Sequence, residues 1–325
     1  MRFQLPKSRR DEPCDLCHGT QFQIVSERDR HGDRLVTVIC AHCGLLCHEQ
    51  VPSDDKLEQY YARQYRAAYQ GEYTPSAYRV LREWSRGRAL VGLLRPYLQP
   101  RDDMVEIGCG IGCLVKNFEC AGFHATGIEP GAGFRQFAVS QLHADVKPGM
   151  LKDIPVEPRV DVVLLVHVLE HLRQPTAALR HIHAMLTGGG RLYIEVPNAG
   201  APHSAPGKMF HFAHIYNFTR DTLAAIAEKA GFSVLAWLGP TEDRNLRLLL
   251  KRGDAVAWQV PHAGYRHTLE ALHRYSVLSY HLRWRYVRQR IGTVARHTGN
   301  RVLARRRLRT LLAQCAKEAA SGTAE

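Results

Sequence analysis

Cys14 and Cys17, then Cys40 and Cys43, form two Cys-x-x-Cys pairs separated by 22 residues. Each pair closes a tight knuckle, with Gly19 and Gly44 just beyond it. Four thiolates in this arrangement suit one tetrahedral zinc ion, and full coordination leaves no open position for catalysis. A structural zinc on Cys14, Cys17, Cys40 and Cys43 is therefore expected. A module this small cannot bury enough apolar surface alone, so metal would support its folding. Between the pairs, strand-like stretches at 22–27 and 34–39 flank His31-Gly32-Asp33, a hairpin turn signal.

A second constellation lies at residues 104–112. Met104, Val105 and Ile107 form a short apolar run that ends in Gly108, Gly110 and Gly112. Leu114 and Val115 then open a segment that can be helical. Glycines at these places let a ligand approach the backbone closely. Glu106 stands inside the strand end, and Glu129 closes a second strand 17 residues after Gly112. A carboxylate at that place can accept two hydrogen bonds from a ribose diol. The spacing is not that of a dinucleotide loop, and a carboxylate at Glu106 would repel a pyrophosphate while suiting a cationic ligand.

The elements around these residues alternate. Residues 102–251 read as strands and helices in turn, which predicts a mainly parallel sheet. Strands are expected at 125–128, 161–166 and 191–196, with helices at 176–186 and 220–230. An antiparallel pair is expected at 233–237 and 246–251. Val80, Leu81, Trp84, Leu90, Leu93 and Leu94 have the spacing of a helix that covers one sheet face. The expected organisation is a cysteine module at 13–50, a tyrosine-rich helical segment at 53–98, a ligand-binding α/β domain at 99–252, and an Arg-rich helical extension at 262–320. In the extension, two helices are expected to break near Thr298-Gly299-Asn300.

The glycine loop with Glu106 and Glu129 resembles motif I of the class I S-adenosylmethionine-dependent methyltransferases. The similarity continues through Leu169-Glu170-His171-Leu172, Pro175, Thr187-Gly188-Gly189-Gly190 and Val196-Pro197-Asn198. The family has Lys-Pro where Thr187-Gly188 stands here. The resemblance implies an α/β fold: a Rossmann-like seven-stranded methyltransferase sheet, carrying here an N-terminal zinc ribbon and a C-terminal helical extension. It implies S-adenosyl-L-methionine as cofactor, held by Glu106, Gly108, Cys109, Gly110, Gly112, Glu129 and Pro130. Met150 would pack on the adenine where the family often has an aspartate, and His167 would lie at the cofactor's edge.

Methyl transfer to a hydroxyl needs an aligned acceptor and a base. Two histidine groups follow strands on the side where such sheets do chemistry. His167, Glu170 and His171 follow the 161–166 strand, and a helical spacing would put them on one face. Relatives acting on ubiquinone precursors carry a related Glu-x-x-Glu-His segment associated with a divalent metal. The second group is His203, His211 and His214, among Phe210, Phe212 and Tyr216. His214, then His211, are the favoured bases, with His167, His171 and Glu170 as the other catalytic candidates.

Methyltransferases with such a zinc ribbon resemble two groups, one acting on sugars and glycans, the other on ribosomal RNA. The expectation is O-methylation of a sugar, glycan or related small acceptor. The alternatives are an rRNA methyltransferase using the ribbon and basic C-terminus, or a non-catalytic scaffold. The net charge is +13, and residues 262–312 hold twelve arginines and one acid, Glu270. Basic amphipathic helices suit an anionic membrane surface or a lipid-linked substrate; nucleic acid is the weaker expectation. No apolar run approaches the ~18–20 residues of a membrane span, and the first residues lack a signal-peptide core. A cytoplasmic protein is expected, peripheral at the inner membrane if the arginines engage lipid.

Overall fold

The computed structural model describes residues 5–53, 55–57, 75–201, 208–254, 258–260, 263–274, 276–282 and 303–320. The tyrosines at 60–73, His203, the arginines of 283–290 and the expected break at 298–300 lie outside them.

Strands β1 (Phe22–Arg28), β2 (Arg34–Cys40) and β3 (Leu46–His48) come first. Helix α1 (Ala77–Leu94) leads to β4 (Asp103–Ile107), α2 (Cys113–Cys120), β5 (His124–Ile128), α3 (Ala132–Phe137), β6 (Val146–Lys147) and β7 (Val160–Val166). Then follow α4 (Pro175–Met185), β8 (Leu186–Pro197), β9 (Tyr216–Asn217), α5 (Arg220–Lys229), β10 (Phe232–Trp237) and β11 (Asn245–Arg252). Short helices α6 (Gly264–His273) and α7 (Val277–His281) follow, and residues 303–320 are helical. The strands form a seven-stranded sheet of order β10-β11-β8-β7-β4-β5-β6 and a four-stranded sheet of order β1-β2-β3-β9. The α/β fold with a mostly parallel seven-stranded sheet is the one expected. No helix among the described residues is long and apolar enough to cross a membrane.

The chain forms two compact units. One is built from Glu58–Val166 and Arg288–Glu325. In it β4 runs parallel to β5, pairing Met104 with Ala125, and parallel to β7, pairing Met104 with Val162. Val162–Leu165 of β7 are buried, as a continuous apolar run in a covered parallel strand should be. Ser76 caps α1 by accepting from Arg79 N at 3.3 Å. Val80, Leu90, Val91 and Leu94 form its buried stripe. In the helix at 303–320, Ala304, Leu311 and Cys315 are buried, while Arg305, Arg306, Arg307 and Arg309 are exposed.

The other unit is built from Met1–Leu57 and His167–Val287. Here β8 pairs antiparallel with β11, and β11 with β10. β8 starts at Leu186, where α4 ends, so Thr187–Gly190 is extended rather than the expected connection before residue 191. The cysteine module is tied into this unit. Its last strand, β3, pairs with β9, Leu46 opposite Asn217 and Cys47 opposite Tyr216. That partner covers an edge that would otherwise leave backbone groups unpaired. The module also caps α4: Asp15 Oδ2 accepts from Thr176 N at 2.9 Å and from Thr176 Oγ1 at 2.5 Å. A carboxylate at a helix N-terminus satisfies orphan N–H groups and opposes the helix dipole. α6 stops at His273 and Ser276 caps α7, so the first expected helix of the extension breaks early.

Candidate active site

The loop after β4 is shaped by three left-handed glycines, Gly108, Gly110 and Gly112 at φ 70°, 56° and 73°. At Gly112 a Cβ would come within 2.7 Å of the Ala138 Cβ, so both conformation and space demand glycine. Above Gly110 there is open space. Glu129, at the end of β5, accepts from Gly110 N at 2.9 Å and Gly131 N at 2.7 Å, which ties the two loops together. Arg135 Nη1 donates to Glu129 O at 2.9 Å. Glu106 is buried, and among the described residues its Oε2 has no hydrogen-bond partner. Burial, then the nearby Glu129 charge, pushes its pKa up to about 8. A buried acceptor of this kind wants a donor or a cation. Glu106, Gly108, Cys109, Gly110, Gly112 and Glu129 are thus together. Cys109 is buried, Pro130 exposed, and Met150 is 43% exposed.

The second group belongs to the other unit. His167 has φ 57°, and its ring lies between two buried carboxylates. Nδ1 is 3.3 Å from Glu170 Oε1 and Nε2 is 3.6 Å from Glu195 Oε1. Burial works against a charge here, but the hydrogen bonds to Glu170 and Glu195 outweigh it and raise the pKa to about 9. The two carboxylates therefore favour the protonated imidazolium form of His167. Residues 169–171 form a single 3-10 turn rather than an α-helix. Glu195 also accepts from Tyr193 Oη at 2.8 Å, Asn245 Nδ2 at 2.5 Å and Arg247 Nε at 3.4 Å. Sequence reasoning missed Glu195, Asn245 and Arg247. A carboxylate within the apolar run 192–196 was the available signal, since buried acids are almost always paired.

His171, His211 and His214 form a second knot. The His171 and His214 rings are 4.9 Å apart and the His211 and His214 rings 5.2 Å. His171 Nδ1 lies 2.7 Å from Ala213 O, so Nδ1 carries a proton and donates it to that carbonyl. Burial lowers the pKa of His214 to about 2 and that of His211 to about 4, with neighbouring positive groups adding to both effects. Both are neutral imidazoles at physiological pH. The 208–214 loop that carries them rests on the cysteine module: His48 Nε2 is 3.0 Å from Phe212 O, and His48 N donates to Ile215 O at 3.0 Å.

Within the module, Cys14 Sγ is 3.5 Å from Cys43 Sγ, and Cys17 Sγ is 3.5 Å from Cys40 Sγ. All four sulfurs lie within 4.8 Å of one another. A tetrahedron of thiolates at ~2.3 Å from zinc has S···S edges of about 3.8 Å, so the donor set fits that ion.

The sequence profile of the methyltransferase-domain family matches residues 77–236, which hold the glycine loop, Glu129 and both histidine groups. The chain carries a class I S-adenosylmethionine-dependent methyltransferase domain. The ubiquinone biosynthesis O-methyltransferase of Bradyrhizobium sp. (strain ORS 278) is 30% identical over 102 residues, 29% of this chain and 40% of that protein. An uncharacterized methyltransferase of Alkaliphilus oremlandii is 32% identical over 93 residues, 28% of this chain and 43% of that protein. A solved structure, the 1,6-didemethyltoxoflavin-N1-methyltransferase of Burkholderia thailandensis, is 17% identical with a TM-score of 0.49, covering 65% of this chain and 96% of that one. The chain thus spans about two fifths of the length of these curated relatives.

Proposed function

We propose that this methyltransferase moves the methyl group of S-adenosylmethionine to a hydroxyl of a small sugar or glycan-type acceptor, with His214 receiving the hydroxyl proton. The observation that carries the reading is His214 itself, a half-buried imidazole whose neutral form is favoured within a knot of two further histidines. The relatives named as O-methyltransferases support oxygen as the methylated atom. The sugar class rests on the zinc-ribbon resemblance.

The cofactor would be held by Glu106, the 108–112 backbone and Glu129; when bound it supplies an electrophilic methyl on a sulfonium. Glu129 would accept from the ribose hydroxyls and Glu106 from the amino-acid ammonium. In the reaction the acceptor O–C bond forms as the S–C bond breaks, and the proton goes to His214. The low basicity of His214 means proton transfer accompanies methyl transfer rather than preceding it. His171, fixed by Ala213 O, orients His214. A zinc on Cys14, Cys17, Cys40 and Cys43 would hold the module on which the 208–214 loop rests.

A second reading is favoured by one observation. Among the described residues Glu170 Oε2 is buried without a hydrogen-bond partner, and Glu170, His171 and His214 place ligand atoms within 4.8 Å of one another. A divalent cation there would lower the acceptor's own pKa. Radiolabelled methyl transfer into sugar, small-molecule and rRNA extracts tests both. His214→Ala should cut turnover by about 10²–10⁴ with cofactor affinity unchanged. Undiminished turnover in that variant refutes the base. Inhibition by a chelator that leaves one tightly held zinc per chain selects the second reading.

A further inference from the structure

The 210–215 stretch that carries His211 and His214 has every backbone carbonyl engaged. Phe210 O accepts from Arg30 N at 2.9 Å, at the tip of the β1–β2 hairpin, and His211 O accepts from His214 N at 2.9 Å. Phe212 O lies 3.0 Å from His48 Nε2, and Ala213 O lies 2.7 Å from His171 Nδ1. His214 O accepts from Asn217 Nδ2 at 3.4 Å, and Ile215 O accepts from His48 N at 3.0 Å. The cysteine module thus holds the carbonyls of Phe210, Phe212 and Ile215, and His48 holds the last two. Its two bonds bracket Ala213 and His214. Phe210, Ala213 and Ile215 are themselves buried, which anchors the segment from the apolar side.

His48 ends β3 with Thr37 opposite it on β2, and it is 1% exposed. A carbonyl facing Nε2 draws a proton to that nitrogen, so the ring donates to Phe212 O. The rest of the ring is poorly provided for. Among the described residues Nδ1 has no hydrogen-bond partner, and neither has the buried Thr37 hydroxyl. Burying an unpaired ring nitrogen costs stability, a cost that an apolar side chain of similar size would not carry. The hydrogen bond that the ring does make leads out of the module, to the loop bearing His214. This layout serves the loop rather than the module.

We propose that His48 is a positioning residue for methyl transfer: its ring N–H on Phe212 O and its backbone N–H on Ile215 O hold the 212–215 segment, and with it the His214 imidazole, in place. The role of His214 in this statement rests on the reading that His214 receives the hydroxyl proton. The ring N–H is the part that a substitution can remove. Without it Phe212 O loses its donor from the module, and the turn through Ala213 and His214 is held at one end only. A base must stay within hydrogen-bond reach of the proton it takes, and a misplacement of about 1 Å can cost on the order of 10²-fold in rate. Glu106, Gly110 and Glu129 belong to the other unit, so cofactor affinity is expected to stay as it is.

The test compares His48→Gln with His48→Asn in the full chain. The glutamine amide reaches the place of Nε2 and keeps a donor for Phe212 O, whereas the asparagine amide reaches only the place of Nδ1. Bound metal and the stoichiometry of S-adenosylmethionine binding, measured on each sample, establish that the chain is folded. The readouts are hydrogen exchange of the 210–217 amides by mass spectrometry and transfer of radiolabelled methyl into the extract fraction that the parent labels. His48→Asn should exchange faster over 210–217 and turn over about tenfold or more slowly, with S-adenosylmethionine affinity unchanged. His48→Gln should stay within about threefold of the parent in both readouts. Should His48→Asn lose its metal, His48→Leu takes its place as the variant without a donor. A donor-free variant that matches the parent in exchange or in turnover overturns the proposal, and so does a His48→Gln as slow as His48→Asn. His214→Ala separates this role from that of the base. Slow turnover in His214→Ala with normal turnover in His48→Asn keeps the base and removes the positioning residue. The reverse pattern removes the base and keeps His48 as the residue that positions the loop.

Discussion

Glu195→Gln removes one of the two carboxylates that clamp His167 while keeping the shape of the side chain. In the parent protein Glu170 and Glu195, against the effect of burial, carry the His167 pKa from 6.5 to about 9. Holding a proton across that interval corresponds to about 3 kcal/mol. The His167 side chain is 31% exposed, and solvent screening reduces the measurable part to about 1–2 kcal/mol. The folded pKa is the higher one, so this stabilisation is complete below about pH 6.5 and is lost as pH rises through 9. Glu195 has the opposite sign. Burial pushes its pKa up, but His167, Tyr193 and Arg247 hold it well below the carboxylate range. Its contribution is present above about pH 4.5 and is lost toward acid. Urea unfolding at about pH 6 and pH 10 should show a gap of about 1–2 kcal/mol between parent and variant at the lower pH, with its His167-linked part gone at the higher. Histidine NMR supplies the site-specific readout: the His167 ring should titrate near 9 in the parent and about one to two pH units lower in the variant. A parent midpoint near 6.5, or one that Glu195→Gln does not move, would refute the clamp.

Three further outcomes follow from the geometry. Glu129→Ala should weaken S-adenosylmethionine binding by about 1–3 kcal/mol in calorimetry, because a buried acceptor is lost; unchanged affinity would mean this carboxylate does not face the cofactor. Gly112→Ala meets the Ala138 Cβ at 2.7 Å in a left-handed backbone, and should cost about 1–3 kcal/mol in denaturant unfolding. Metal analysis of the purified chain should give at least one zinc, and Cys40→Ser should lose it together with thermal stability; a metal-free yet equally stable parent would disprove the assignment.

What could be read from the sequence was local. The 104–112 and 161–166 runs announce buried parallel strands because strand length, apolar content and terminal glycines coincide within a few residues. The cysteine pairs announce their cluster through spacing alone. Thr187–Gly190 misled because glycines have no side chain to show a period, so the start of β8 at Leu186 left no trace. The clamp around His167 joins residues 167, 170, 195, 245 and 247, and no short-range pattern links those positions. Asp15 as the cap of α4 and Arg30 beside Phe210 were invisible for the same reason: each depends on two loops that meet only after the cysteine module has docked. His214 drew notice as one histidine among several aromatics, whereas its neutral state came from burial that a sequence does not display.

The pairing of Leu46 with Asn217 sets a timetable for synthesis. These partners are 171 residues apart in the chain. At about 5–20 residues per second on the ribosome, β3 waits roughly 10–30 s before β9 emerges. During that interval the nascent hairpin presents an open edge, and β3 is only three residues long, too short a template for a neighbouring chain to grip well. An early metal ion on the two knuckles would hold the hairpin folded until the late strand arrives. Chains made under zinc limitation should then be lost to aggregation and proteolysis during translation, before any finished enzyme exists to be inactivated.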